Sequence, residues 1–176
     1  MRELLSLLLV ALSVRLGGAW LLGAGAPFGP DGTGAEAAVH LGNHMYPLHI
    51  AALAIVGSAQ GLSVVCGSLS CVLLAVIARH ARLGTAAGWI AAFMPLGVYP
   101  SVLAAGDAPA QLVVLAGVAL ATQGRIWAVL GGALALCSVA VKPIALPLTV
   151  LLILHPWSLL GVALTLPWVP ADEDQP

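Results

Sequence analysis

Charged residues are scarce in this sequence, and that scarcity excludes most classes of protein. Of 176 residues, 6 are Lys or Arg and 7 are Asp or Glu, so charged side chains make up 7% of the chain. Soluble globular domains carry about 25% charged residues, and disordered chains combine many charges with few apolar residues. Neither class fits this chain. A net charge of -1 without any basic run also gives no basis for a nucleic-acid partner.

The chain has three cysteines, and their pattern indicates no metal or redox chemistry. Cys66, Cys71 and Cys137 all lie in apolar stretches, and their spacing matches no zinc or redox motif. We therefore expect them to act as small packing residues.

Apolar sequence is what the chain has in excess. Hydrophobic residues make up 61% of it, with 20 Gly and 12 Pro, and the mean hydropathy is +1.07. This composition is typical of membrane helices with breaks. We predict an all-α fold, a polytopic transmembrane helical bundle that forms one domain over residues 1–176 and ends in an acidic tail at 171–176. About seven spans are expected, at 4–25, 60–78, 85–98, 108–121, 127–141, 144–154 and 159–169. Residues 48–58 are too few to span and predict a short interfacial helix in the first outer loop.

The charges sort by side on this topology. Arginines near short loops fall on one side, which the positive-inside rule makes cytoplasmic: Arg2, Arg79, Arg82 and Arg125. Six of the seven acidic residues fall on the other side: Asp31, Glu36, Asp107, Asp172, Glu173 and Asp174. We therefore expect a cytoplasmic N-terminus and an extracytoplasmic C-terminus. The Ala- and Gly-rich composition is typical of proteins from GC-rich bacterial genomes, so we expect the membrane to be a bacterial inner membrane.

The first outer loop carries a candidate metal site. Asp31 either caps a short helix or contributes its carboxylate to a functional site. Glu36 and His40 lie one turn apart on that helix. Carboxylate oxygens with one imidazole favour Mg²⁺ or Mn²⁺ as a cofactor. The alternative is that His40, like His49, hydrogen-bonds lipid headgroups or backbone instead of a metal.

Three further charged residues are candidates because charge at membrane depth is costly. Asp107 either caps the helix that follows it or faces Asp31 across the outer boundary. Lys142 either snorkels to the interface or supplies positive charge to the same site. Arg15 lies within the first predicted span, where an unpaired arginine costs at least about 2.5 kcal/mol, so we expect a carboxylate or headgroup partner for it.

The order of these features resembles the N-terminal module of the GT-C superfamily, the membrane glycosyltransferases that use polyprenyl-phosphate sugars. Members have an arginine in the first helix, an outer-loop aspartate, a Tyr-Pro-x-Leu motif, a Pro-Ser after the third span, an acid before the fourth helix and a Lys-Pro after the fifth. The corresponding residues here are Arg15, Asp31, Tyr46 with Pro47, Leu48 and His49, Pro100 with Ser101, Asp107, and Lys142 with Pro143. The likeness departs at Glu36, where the family has tyrosine, and at the end of the chain, where the family continues with more helices.

The resemblance implies a role for each matched residue. Asp31 and Asp107 would be the catalytic carboxylates, Asp31 also a metal ligand. Substrate would be bound by Arg15, Lys142, Tyr46 and His49. The expected function is transfer of a sugar from a polyprenyl-phosphate donor at the outer face of the membrane, with membrane lipid and a second membrane subunit as further partners. The alternative is a catalytically silent subunit of this fold in a membrane complex.

Overall fold

The computed structural model describes residues 1–21, 59–102, 107–137 and 156–165, and every regular element within them is an α-helix. In chain order the helices are α1 (Arg2–Leu21), α2 (Ala59–His80), α3 (Ala86–Phe93), α4 (Pro95–Val102), α5 (Asp107–Ala121), α6 (Arg125–Cys137) and α7 (Pro156–Thr165). The predicted all-α class is confirmed for these residues. The predicted interfacial helix at 48–58, the span at 144–154 and the acidic tail lie outside them.

Two of the described helices are long and apolar enough to cross a membrane: α1, and α2 from Gln60 to His80. They correspond to the first two predicted spans. Helices α5 and α6 are also apolar, but with 15 and 13 residues they are shorter. The expected number of seven spans therefore exceeds the two that length and composition identify here.

The third predicted span is not one continuous helix, because the helix is interrupted at Met94. Proline has no amide hydrogen and disfavours helical backbone at the residue before it. Met94, which precedes Pro95, accordingly has an extended ψ of 120° and closes α3 by donating its N–H to the Ile90 carbonyl. Pro95 then starts α4, the position in which proline fits a helix best. Residues 86–102 thus form two short helices in sequence.

Helices α1 and α2 pack through two stripes with helical spacing. The buried residues of α1 are Leu7, Ala11 and Arg15, which follow one another at intervals of four. On α2 small residues repeat at the same interval and are also buried: Ser63, Gly67, Cys71 and Ala75. Residues four apart lie on one helix face, so each stripe forms a continuous surface. Small side chains in such stripes let helix backbones come close together.

Contacts at the helix ends fix the relative direction of α1 and α2. At one end, the Glu3 carboxylate accepts hydrogen bonds from the Arg79 guanidinium and the Thr85 hydroxyl. At the other end, Gln60 donates its side-chain N–H to the Val102 carbonyl at 3.1 Å. We call these the Glu3 end and the Gln60 end. The first turn of α1 thus lies beside the last turn of α2, and further along α1 Arg15 bonds Cys71, which precedes Arg79 by eight residues, so the two helices are antiparallel.

Glycine contacts hold α5, α6 and α7 together. A Cβ on Gly117 would lie 2.6 Å from the Gly131 carbonyl oxygen, and a Cβ on Gly131 would lie 2.4 Å from the Gly117 carbonyl oxygen. Helix α7 approaches α6 as closely, since a Cβ on Gly161 would lie 1.9 Å from the Val129 carbonyl oxygen. Side chains larger than hydrogen would force these backbones apart.

Candidate functional site

The bundle buries several polar side chains beside its apolar core and exposes many large apolar side chains. Five serines are almost completely buried: Ser63, Ser68, Ser70, Ser101 and Ser158. The largest exposed fractions belong to side chains such as Trp20 at 80%, and Leu96 and Ile126 at 77% each. A monomeric soluble protein rarely leaves so much apolar surface in contact with water. Small and hydroxyl residues between helices are instead typical of membrane interiors.

Arg15 is the most unusual member of this interior. Its side chain is only 2% exposed although it carries a full positive charge. Nε donates to the Ser101 hydroxyl oxygen at 2.8 Å, Nη1 donates to the Ala11 carbonyl oxygen at 3.2 Å, and Nη2 donates to the Cys71 sulfur at 3.3 Å. The guanidinium therefore joins α1, α2 and α4. We call Arg15, Ser101, Cys71 and Gly67 the arginine cluster.

Ser101 is oriented by its own helix to accept from Arg15. Its hydroxyl donates to the carbonyl oxygens of Gly97 and Val98, both at 2.8 Å. Because the hydroxyl hydrogen is used within α4, the oxygen lone pairs are left to accept the Arg15 N–H. This arrangement fixes which group donates and which accepts.

Gly67 makes room for the contact. A Cβ at this position would lie 2.3 Å from the Ser101 Cβ and 2.9 Å from the Arg15 Nε. Glycine is the one residue that lets α2 pass the Arg15 to Ser101 hydrogen bond at this distance. The Cys71 thiol also donates to the Gly67 carbonyl oxygen at 3.4 Å, which holds the sulfur beside the guanidinium.

The expected carboxylate partner of Arg15 is not found among the described residues, where the ion pair joins Glu3 and Arg79 instead. Neutral acceptors suffice on energetic grounds. Hydrogen bonds to a charged group contribute about 1.5 to 3 kcal/mol each. Two such bonds to oxygen offset the cost of about 2.5 to 3.5 kcal/mol for an arginine at the centre of a membrane helix.

The arginine cluster lies towards the Gln60 end of the bundle. Gly67 follows Gln60 by seven residues, which is about 10 Å along α2 at the rise of an α-helix.

Asp107 is the first residue of α5, and Pro109 lies in the first turn of that helix, where proline is tolerated. Val102 lies at the Gln60 end, and four residues separate it from Asp107. These are too few to carry the chain along the whole of α2, which is about 33 Å long, so Asp107 does not lie at the Glu3 end.

The other predicted site residues lie outside the described part of the chain: Asp31, Glu36, His40, Tyr46, His49 and Lys142. The predicted Mg²⁺ or Mn²⁺ site thus stays a prediction. Within the described ranges no group of three or more His, Cys, Asp or Glu side chains could hold a metal ion. Of the sequence-predicted residues, Arg15 and Asp107 are the two that can be placed.

Sequence reasoning found Arg15 but missed the residues that surround it. Ser101 was identified through its Pro-Ser motif and not as an acceptor. Cys71 is buried, as its apolar context predicted, but it also accepts a hydrogen bond. The interval of four from Gly67 to Cys71 was a usable signal, since it repeats the spacing from Ala11 to Arg15 on α1.

These features define the protein as an α-helical bundle with an apolar exterior and a buried, hydrogen-bonded arginine. Comparison with known protein families, curated proteins and solved structures finds no match to this chain.

Proposed function

We propose that the protein is an integral membrane helical bundle of about seven spans, with the Glu3 end cytoplasmic and the Gln60 end extracytoplasmic. The exposed apolar surface carries this proposal, because lipid tails solvate the exposed Leu, Ile, Phe and Trp side chains that water would not. The arginines at the Glu3 end agree with the positive-inside rule.

Labelling of single cysteines tests this topology. Cys66, Cys71 and Cys137 are first replaced by alanine, and one cysteine is placed at Leu83, Gln123 or Asp107. The proposal expects a membrane-impermeant maleimide to label position 107 from outside intact cells, and positions 83 and 123 only after the cells are opened. Labelling of 83 and 107 from the same side would overturn the topology.

We further propose that the bundle is a GT-C-like glycosyltransferase module that transfers a sugar from a polyprenyl-phosphate donor. The ordered set of motifs supports this, together with a cation placed about 10 Å inside the Gln60 end. A buried positive charge acts over a longer distance in a medium of low dielectric, and it favours a phosphate near the end of the bundle. Arg15 would act by electrostatic attraction, because its neighbours in the arginine cluster already hold the guanidinium.

In this proposal the outer-loop residues do the chemistry. Asp31 acts as the base towards the acceptor, Asp107 contacts the acceptor or a metal, and Lys142, Tyr46 and His49 hold the donor. Glu36 and His40 would complete a Mg²⁺ or Mn²⁺ site with Asp31. Carboxylate and imidazole ligands suit these ions, and the chain offers no thiolate in that loop.

Sugar transfer by the full chain in lipid vesicles tests the proposed activity. The donor is a polyprenyl phosphate carrying a radiolabelled hexose, and membrane extract supplies the acceptor and any second subunit. Asp31→Asn and Asp107→Asn are expected to abolish transfer, whereas Gln123→Asn, in the turn between α5 and α6, is expected to leave it unchanged. Transfer that survives both aspartate substitutions contradicts the assigned roles.

One observation favours the alternative of a catalytically silent subunit. All three nitrogens of the Arg15 guanidinium are engaged by protein acceptors, which is what a purely structural contact between helices requires. This alternative predicts no transfer above background from the unaltered chain in the same assay. It also predicts that Arg15→Met loosens the bundle and lowers the yield of the complex that contains it.

A further inference from the structure

The Glu3 end of the bundle carries a basic surface that the proposed chemistry does not use. We call Arg2, Arg79 and Arg82, together with Glu3, the basic cap. It has a net charge of +2, whereas the whole chain has a net charge of -1. The cap is assembled from separate helices, because the Glu3 carboxylate at the start of α1 accepts from Arg79 at the end of α2 and from Thr85 before α3.

The pairing within the cap leaves two arginines for a partner. Arg79 is bound to Glu3. Arg2 and Arg82 are both exposed, and neither forms an ion pair with a residue in the described ranges. Arg2 adjoins Glu3 and Arg82 follows Arg79 by three residues, so the Glu3 to Arg79 pair keeps the two free cations at the same end of the bundle.

Arg82 occupies a backbone position that normally belongs to glycine. The last turn of α2 closes with a hydrogen bond from the Leu83 N–H to the Ala78 carbonyl at 2.8 Å and one from the Arg82 N–H to the Arg79 carbonyl at 3.0 Å. This is the Schellman arrangement, in which the residue at Arg82 is left-handed. Its φ is indeed +63°. Residues with a Cβ are disfavoured in this conformation, so a conformational preference does not explain an arginine there.

The surroundings of Arg82 suit the boundary between lipid headgroups and acyl chains. Leu83, the next residue, is 72% exposed, so an apolar side chain and a cation project side by side from the same turn. Arginine with an adjacent apolar side chain is a common composition at membrane interfaces. The guanidinium also binds phosphate oxygens with two parallel N–H groups, which lysine cannot do.

We infer that the basic cap binds the phosphate of an anionic phospholipid headgroup, with Arg2 and Arg82 as the contacting cations and the Glu3 to Arg79 pair as the positioning element. The inference rests on the proposed membrane embedding and is independent of the proposed glycosyl transfer. A basic residue near an anionic membrane surface contributes roughly 1 kcal/mol, so each arginine corresponds to about a five-fold preference for anionic lipid and the two together to about 30-fold.

The test measures lipid binding by the full chain in nanodiscs. Native mass spectrometry compares retention of phosphatidylglycerol with retention of phosphatidylcholine for the unaltered chain and for variants. Arg82→Gly removes the charge and also relieves the left-handed backbone, so it is expected to fold at least as well while its preference for phosphatidylglycerol falls about five-fold. Arg82→Lys keeps the charge but cannot form two parallel hydrogen bonds to phosphate, so it is expected to retain more of the preference than Arg82→Gly and less than the unaltered chain. Arg125→Gln is the comparison variant: it removes an exposed arginine whose guanidinium carbon already lies 5.8 Å from the Trp157 ring, so its loss of preference is expected to be smaller than that of Arg82→Gly.

Several results would overturn the inference. They are an unchanged preference in Arg82→Gly, an equal loss in Arg125→Gln, or displacement of the lipid by soluble glycerol phosphate at comparable concentration. A chain that enters phosphatidylcholine nanodiscs and shows no preference for phosphatidylglycerol contradicts this inference alone. A chain that does not enter nanodiscs contradicts the proposed embedding and, with it, the lipid site.

Discussion

Substitution of Gly67 by alanine tests the arginine cluster most directly, because one added methyl group separates its members. The new Cβ would lie 2.3 Å from the Ser101 Cβ and 2.9 Å from the Arg15 Nε. Both distances are below any normal contact, so α2 and α4 must move apart. Because the methyl group would press on both partners of the 2.8 Å hydrogen bond between Arg15 and Ser101, we expect that bond to be lost as well.

The expected destabilisation follows from three contributions. Overpacking of a close contact costs about 1 to 3 kcal/mol, and loss of a hydrogen bond to a charged group costs about 1.5 to 3 kcal/mol. Alanine restores about 1 kcal/mol through its greater helix propensity. We therefore expect Gly67→Ala to lower the free energy of unfolding by about 3 kcal/mol, measured by reversible unfolding in mixed detergent micelles.

Gly17→Ala is the matched control, since no atom of another described helix lies within 4 Å of the position that its Cβ would take. It gains the same helix propensity without the clash and should be neutral or stabilising. The double variant Gly67→Ala with Ser101→Gly has no Cβ at position 101 to clash, but it also lacks the hydroxyl that Arg15 binds. It should therefore recover only part of the lost stability. Equal stability of Gly67→Ala and Gly17→Ala would refute the close packing around Arg15.

Three further predictions concern other contacts of the bundle. Gly131→Ala places a methyl group 2.4 Å from the Gly117 carbonyl oxygen and should lower the unfolding free energy by about 1 to 3 kcal/mol in the same assay. Trp157→Leu removes the ring that lies 5.8 Å from the Arg125 guanidinium carbon and should lower the unfolding free energy by about 0.5 to 1 kcal/mol. Trp157→Phe keeps an aromatic ring and should therefore lose only a small part of that stability. Glu3→Gln weakens an exposed ion pair, so its small loss in melting temperature should shrink further in high salt.

Each of these has a result that would contradict it. For Gly131→Ala, stability equal to that of Gly17→Ala would mean that α5 and α6 are farther apart than described. For Trp157, a phenylalanine variant as unstable as the leucine variant would leave the cation to ring interaction without support. For Glu3→Gln, an effect independent of salt would show that charge is not what joins these helix ends.

The sequence alone was sufficient for the helical class and for most helix positions. Long apolar runs and the scarcity of charge predicted helices, because a backbone surrounded by lipid would have to satisfy its own hydrogen bonds within each segment. The starts of α2 and α5 agree with the predicted spans to within one residue. The third span failed because Pro95 acts on the backbone of Met94, a local effect that average hydropathy over a span does not register.

The tertiary structure alone decided what surrounds Arg15. In the sequence Arg15, Gly67 and Ser101 are separated by 52 and 34 residues, and their chemistry does not reveal that they meet. An isolated arginine in an apolar helix predicts only that some partner must exist. Which partner it finds depends on where a glycine lets two helices approach and on which serine already uses its hydrogen within its own helix. An arginine within an apolar run could therefore be recognised from the sequence, whereas the hydrogen bonds that stabilise it are fixed by the packing of α1, α2 and α4.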